Sequence, residues 1–253
     1  VDILNMMGLS MMAMGALCRL ARTRAATILS AAAVSFAIAL ATPPLWTTLR
    51  PRWLPWPLES YINGVHTYPD PRPWLFPIFP WAAIAFAGLA VGFILFSDWA
   101  KKRESLTAGL IGGGGVVLYL VAQWLDAAPL RLYASYDYWH TSPNFFLARV
   151  GILLMILFAS YAWCRWGAGA WKFSPMIQLG QTSLLVYWVH IEFVYGRFSI
   201  LPKQAVSIST ASLGLLAIFV AMLLLSMART RLKGRGAEAL IWLRRAARPA
   251  REG

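Results

Sequence analysis

The chain has 253 residues, 59% hydrophobic and 13% charged, with a mean hydropathy of +0.58. A soluble domain carries about 45–50% apolar and about 25% charged residues, so an ordinary soluble fold is excluded. The net charge is +13 and the pI about 10.4, but the cations flank apolar runs. No RNA-binding signature, helix-turn-helix or zinc pattern accompanies them, which sets nucleic acid aside as a partner.

The apolar runs are about 17–22 residues long, the length that carries a helix across a hydrocarbon core about 30 Å thick. Backbone groups in lipid must be paired internally, which leaves helices or a closed barrel. A barrel needs alternating polarity along each strand, and these runs are continuous. The expected fold is therefore all-α: a polytopic integral membrane bundle of about seven transmembrane helices.

In chain order the predicted spans cover 3–18, 26–42, 78–97, 105–124, 145–163, 176–197 and 208–228. Residues 1–228 make one transmembrane bundle. Residues 229–253 are expected to form a basic tail that mixes Leu240, Ile241, Trp242 and Leu243 with Arg244, Arg245 and Arg248 in the manner of an interfacial amphipathic helix. The chain enters its first apolar run directly at Val1, without a signal peptide. Cys18 and Cys164 have no partner at CxxC spacing, so neither a disulfide nor a metal site is expected, and both read as small buried hydrophobes.

Sixteen of the 23 Lys and Arg fall in one set of loops and the tail, including Arg19, Arg22, Arg24, Lys101, Lys102, Arg103, Arg165 and Lys172. The positive-inside rule makes that side cytoplasmic. Val1 then starts outside and the C-terminus ends in the cytoplasm. Two larger outer loops result. One spans residues 43–77 and is rich in Pro and Trp. The other spans 125–144 and places Tyr133, Tyr136, Tyr138 and Trp139 around His140. Both read first as interfacial aromatic belts, and alternatively as a stacking surface for an external ring. Proline disfavours regular structure in such loops, so they are expected to pack as a lid. Gly112–Gly115 lies within a span with no Lys-Ser/Thr after it, so it reads as close helix packing and not as a phosphate loop.

The sixth span carries Gln178, Gln181, His190 and Glu192, and ionisable groups inside a membrane mark a functional path. At 100° per residue, Ser183, Tyr187 and His190 share one side, with Gln178, Gln181, Trp188 and Glu192 on the other. The outer end of the bundle collects Asp2, Asp126, Arg149, His190 and Glu192. Arg149 is matched in depth to Glu192 and is its candidate ion-pair partner. His190, Glu192 and Arg149 are the candidate catalytic residues. Asp2, Asn5, Asp126, Gln181 and Tyr187 are the candidates for substrate binding, and Lys101, Lys102 and Arg103 for cofactor phosphates.

Three stretches together resemble a known family. Val1-Asp-Ile-Leu-Asn-Met-Met-Gly-Leu-Ser10, Phe76-Pro-Ile-Phe-Pro-Trp81 and Leu179-Gly-Gln-Thr-Ser-Leu-Leu-Val-Tyr-Trp-Val-His190 are similar to motifs of bacterial membrane proteins related to heparan-α-glucosaminide N-acetyltransferase. The third is also reminiscent of the wider membrane acyltransferase superfamily. The resemblance implies an acyltransferase that moves an acetyl or acyl group from acetyl-CoA to an amino sugar or cell-envelope glycan across the bacterial inner membrane. The family's Asp-x-x-Arg-Gly-like start and its usual catalytic histidine have no match here. The resemblance therefore implies the C-terminal portion of a longer protein, with His190 in a supporting role. Membrane lipid, acyl-CoA, a sugar or glycan acceptor and a second copy of the chain are the candidate partners. Two rivals stand beside this reading: a proton-coupled transporter using the same His and Glu, and a scaffold without chemistry.

Overall fold

The computed structural model describes residues 2–49, 53–64, 76–128, 133, 137–167, 174–194 and 207–246, excepting the side chains of 2, 63 and 234–246. Every described element is a helix. The chain forms two compact units, Val1–Trp166 and Gly167–Gly253. Among the described residues six helices are long and apolar enough to cross a membrane.

The first unit contains α1 (Asp2–Leu20), α2 (Arg24–Thr47), α3 (Trp56–Asn63), α4 (Ile78–Leu95), α5 (Asp98–Lys102), α6 (Glu104–Ala127) and α7 (Pro143–Ala162). Local chemistry sets the boundaries. The Thr23 hydroxyl accepts from the Ala26 N–H to open α2, and Ser97 and Ser142 cap α5 and α7 in the same way. Pro143 occupies the first turn of α7, where its missing N–H costs nothing. Past α7, Trp163–Gly167 forms one π-helical turn.

Small residues set the packing. Ala31, Phe86 and Ala90 form one core between α2 and α4, against which Met14 and Leu17 of α1 lie. Ala39, Ala83 and Phe146 form a second core that brings in α7. The Ser35 hydroxyl donates to the Ala83 carbonyl at 2.7 Å, a hydrogen bond between spans that a dry interior favours. In the glycine run of α6, only Gly112 and Gly115 meet α7, while Gly113 and Gly114 face open space. A Cβ on Gly115 would lie 2.7 Å from the Gly151 carbonyl oxygen, and one on Gly151 would lie 2.6 Å from that of Gly115.

The Pro-rich stretch after residue 43 is more regular than expected. α2 runs through Pro43 and Pro44 to Thr47, and α3 forms beyond it. Pro44 has no N–H to offer the Leu40 carbonyl. The Tyr133 hydroxyl supplies that hydrogen bond instead, at 2.7 Å. Burial pushes the Tyr133 phenol above its ordinary value, so it stays protonated as the donor. α3 has Pro57 in its first turn and ends on Gly64 at φ +63°, a left-handed residue that suits glycine.

The second unit contains α8 (Pro175–Gln181), α9 (Ser183–Val194) and α10 (Ile208–Ala246). Six clear spans and one shorter apolar helix among the described residues agree with the expected bundle of about seven; the sixth segment differs in detail. The predicted sixth span is broken at Thr182 (φ −121°, ψ 22°), leaving α9 only 12 residues long. The helical phase that placed Gln178 and Gln181 beside Trp188 and Glu192 is therefore interrupted. α10 runs unbroken through residue 228, joining the predicted seventh span to the start of the basic tail. The cysteine expectation also fails in part, since Cys18 is half-buried but Cys164 is exposed.

Gly115→Ala should lower the unfolding midpoint in detergent micelles, at a cost of about 1–3 kcal/mol for overpacking a closed interface. Gly113→Ala should leave the midpoint unchanged or raise it. Equal effects from the two would contradict the packing described.

Candidate functional site

At one end of the first unit, α5, the start of α6 and the end of α7 enclose two adjoining hollows. The larger, about 560 Å³, is apolar and reaches from Leu95 and Phe96 past Ala108 to Ile111, Leu157 and Phe158. The other, about 540 Å³, is its basic mouth, lined by Lys101, Lys102, Arg103 and Arg165 with one carboxylate, Glu104. Lys101, Glu104 and Tyr161 border both. The chain turns at Arg103 (φ −133°, ψ 50°) between α5 and α6, which gathers three consecutive cations on one rim. The Tyr161 hydroxyl lies 2.9 Å from Ser105 Oγ, joining α6 to α7 across the mouth. Chemically, this is a place for a ligand with phosphates at one end and an apolar arm at the other.

The opposite end of the unit is aromatic. Trp46 at the end of α2 donates its indole N–H to the Phe79 carbonyl at 3.1 Å. Its ring packs where a side chain at Gly64 would collide with it, and it stacks on His140 with centroids 6.4 Å apart at 28°. Arg149 is half-buried, its guanidinium carbon 5.0 Å from the Trp81 ring centroid and 4.0 Å from that of Phe145. Cation–π contact is a recognised way to keep a cation in a poorly solvated place. Glu59 on α3 is only 3% exposed. Asp137 and His140 form a close pair, Oδ2 to Nδ1 at 2.7 Å.

In the second unit, Ser226 on α10 is fully buried and ties together the break in the sixth segment. It accepts from Gln178 Nε2 (3.0 Å) and the Thr182 hydroxyl (2.6 Å), and donates to the Gln178 carbonyl (2.8 Å). His190 Nδ1 lies 2.8 Å from the Tyr187 carbonyl, and the two rings meet edge-on at 5.6 Å.

The predicted residues thus distribute unevenly. Lys101, Lys102 and Arg103 share one hollow, and Tyr187 and His190 touch. Asn5 and Asp126 are exposed on α1 and at the end of α6, and Gln181 is exposed at the end of α8. Asp2 opens α1, but its side chain lies outside the described residues, as do Tyr136, Lys172 and the side chains of the tail beyond residue 233. Arg149 belongs to the first unit and Glu192 to the second, so their pairing remains a proposal. Sequence reasoning missed Arg165 at the basic mouth, Glu59, Ser226 and the role of Asp137. The signal for Asp137 was present: Asp-x-x-His immediately before the Ser142-Pro143 helix start.

Fold and site together define a polytopic helical membrane protein with a basic-mouthed apolar cavity at one end and an aromatic, charged cluster at the other. Residues 1–124 match the family described as heparan-alpha-glucosaminide N-acetyltransferase, catalytic. Over that segment the chain is similar to this acetyltransferase family. The first two resembling stretches fall inside the matched residues, and the one ending at His190 falls beyond them. No curated protein and no solved structure matches the chain.

Ser226→Ala should destabilise the protein by about 1–3 kcal/mol, because it removes three hydrogen bonds that the buried Ser226 hydroxyl makes to the partly buried Gln178 and Thr182. Thermal unfolding in detergent measures this. Ser212→Ala, at an exposed position on the same helix, should leave the midpoint unchanged.

Proposed function

We propose that the chain carries out acyl transfer within the membrane, taking an acetyl or acyl group from acyl-CoA and delivering it to an amino sugar or cell-envelope glycan. The observation that carries this reading is the basic-mouthed cavity at the α5–α7 end, in a chain whose first 124 residues match an acetyltransferase family. The donor set fits coenzyme A. Lys101, Lys102, Arg103 and Arg165 would take its phosphates, and the apolar hollow between α6 and α7 would take its acyl-bearing arm.

Arg149, His190 and Glu192 belong on the acceptor side in this reading, with Asp2, Asn5, Asp126, Gln181 and Tyr187 as further candidate contacts. The same reading puts the basic end and the C-terminus in the cytoplasm of a bacterial cell, where acyl-CoA is made. The positive-inside pattern supports that orientation.

The test is acetyl transfer from labelled acetyl-CoA to an amino-sugar acceptor by the full-length protein in lipid nanodiscs. Transfer is expected. Lys101→Gln with Arg165→Gln should raise the KM for acetyl-CoA about tenfold, with a smaller change in kcat, because the phosphates are held alike in ground and transition states. Proton-coupled solute flux with no acetyl-CoA binding would overturn the reading in favour of a transporter.

A further inference from the structure

Four cations, Lys101, Lys102, Arg103 and Arg165, meet at the mouth of the apolar hollow against one carboxylate, Glu104. Among the described residues none of the four forms an ion pair. Arg103 packs over the Trp99 ring at 5.9 Å, a contact that orients the guanidinium without neutralising it. Asp98, the nearest acid before them in the chain, lines neither hollow. Like charges gathered on one rim repel each other, and a bound anion relieves that repulsion.

Two features place this mouth at the surface of the bilayer. Trp99 lies under Arg103, and Trp163 and Trp166 flank Cys164 and Arg165, which line the two hollows. All three indoles are exposed. Exposed indoles at the ends of apolar spans mark the headgroup layer. The apolar hollow also has an open flank. Phe96 on its wall is 71% exposed, and Leu157, also on its wall, is exposed. From Glu104 at the mouth to Ile111, the α6 wall runs about 10 Å into the span.

A free oxyanion would answer the charge and leave the apolar flank unfilled. A lipid without net charge would fill the flank and leave the cations uncompensated. We infer that an anionic phospholipid of the surrounding leaflet occupies this site, its phosphate among the four cations and one acyl chain in the apolar hollow. Basic pockets between spans at the cytoplasmic surface hold such headgroups by the same electrostatics. The lipid must leave before acyl-CoA enters, so it competes with the donor, and donor uptake falls as the leaflet becomes more anionic. That competition rests on the acyltransferase reading above; the lipid site does not.

The experiment uses the full-length protein in phosphatidylcholine nanodiscs that carry a trace of phosphatidylglycerol with a photoreactive acyl chain. Labelled peptides are mapped by mass spectrometry, and the unfolding midpoint of each variant checks its fold. Labelling is expected at Phe96, Ile111 or Leu157. Lys102→Gln with Arg165→Gln should lower it about tenfold or more, the effect of removing two cations that hold an anionic headgroup. Lys102→Gln alone, with a loss of about threefold or more, gives the same test should the double variant not fold. Arg22→Gln with Arg24→Gln removes two exposed cations that line neither hollow and should leave the labelling unchanged. Excess acetyl-CoA should abolish the labelling, and inorganic phosphate at the same ionic strength should not. Equal losses from the two double variants, equal labelling by a photoreactive phosphatidylcholine, or suppression by inorganic phosphate would overturn the lipid site. Labelling that acetyl-CoA leaves undiminished, in a protein that binds acetyl-CoA, would overturn the competition. The expected lipid labelling in a protein that binds no acetyl-CoA would overturn the acyltransferase reading and leave the lipid site standing.

Discussion

The crossing of α6 and α7 at Gly115 and Gly151 is the constraint on which the first unit depends. Each glycine admits the other's backbone so closely that a methyl group on either would collide with a carbonyl oxygen. Lipid tails are as apolar as leucine, so association between spans rests on close packing. Glycine is the residue that lets two backbones meet. On one side of the crossing, Ala108, Ile111, Leu157 and Phe158 line the apolar cavity together with Leu95 and Phe96. On the other side, Gly151 sits two residues from Arg149, which holds that cation against Trp81 and Phe145. Phe146 carries the same helix into the core formed by Ala39 and Ala83. One contact therefore sets the donor-like end and the aromatic end together.

The aromatic end is ordered by side chains where the backbone cannot order itself. Pro44 leaves the Leu40 carbonyl without its usual helical donor, and Tyr133, 93 residues away in sequence, replaces it. Trp46 joins four elements through one indole: the end of α2 that bears it, Gly64 beyond α3, Phe79 at the start of α4, and His140 before α7. Such an arrangement gives these loops a fixed geometry.

Much of this was legible in the sequence. Five spans appear within a few residues of their predicted limits, because long apolar runs in lipid leave the backbone no alternative to a helix. The three cations at 101–103 were visible as a cluster. Arg165 was not joined to them, because 62 residues separate it from Arg103 and only the folding of α6 against α7 brings the two together. The glycine run was visible, but which two of its four members touch a neighbour depends on helix rotation. The sixth span misled because its average composition is apolar enough to cross a membrane despite Gln178, Gln181, His190 and Glu192. At the break the Thr182 hydroxyl bonds to Ser226, 44 residues on, and hydropathy does not register such a bond. The Asp137–His140 pair lay inside an aromatic stretch that reads equally well as an interfacial belt.

In the proposed function, acyl-CoA enters the apolar cavity lined by α5, α6 and α7. A photoreactive acyl-CoA analogue, applied to the full-length protein in nanodiscs and mapped by peptide mass spectrometry, tests it most directly. Labelling is expected at Ile111, Leu157 or Phe158, suppressed by excess acetyl-CoA and weakened by Lys101→Gln with Arg165→Gln. Labelling confined to residues 174–246, or labelling that acetyl-CoA leaves undiminished, would contradict it.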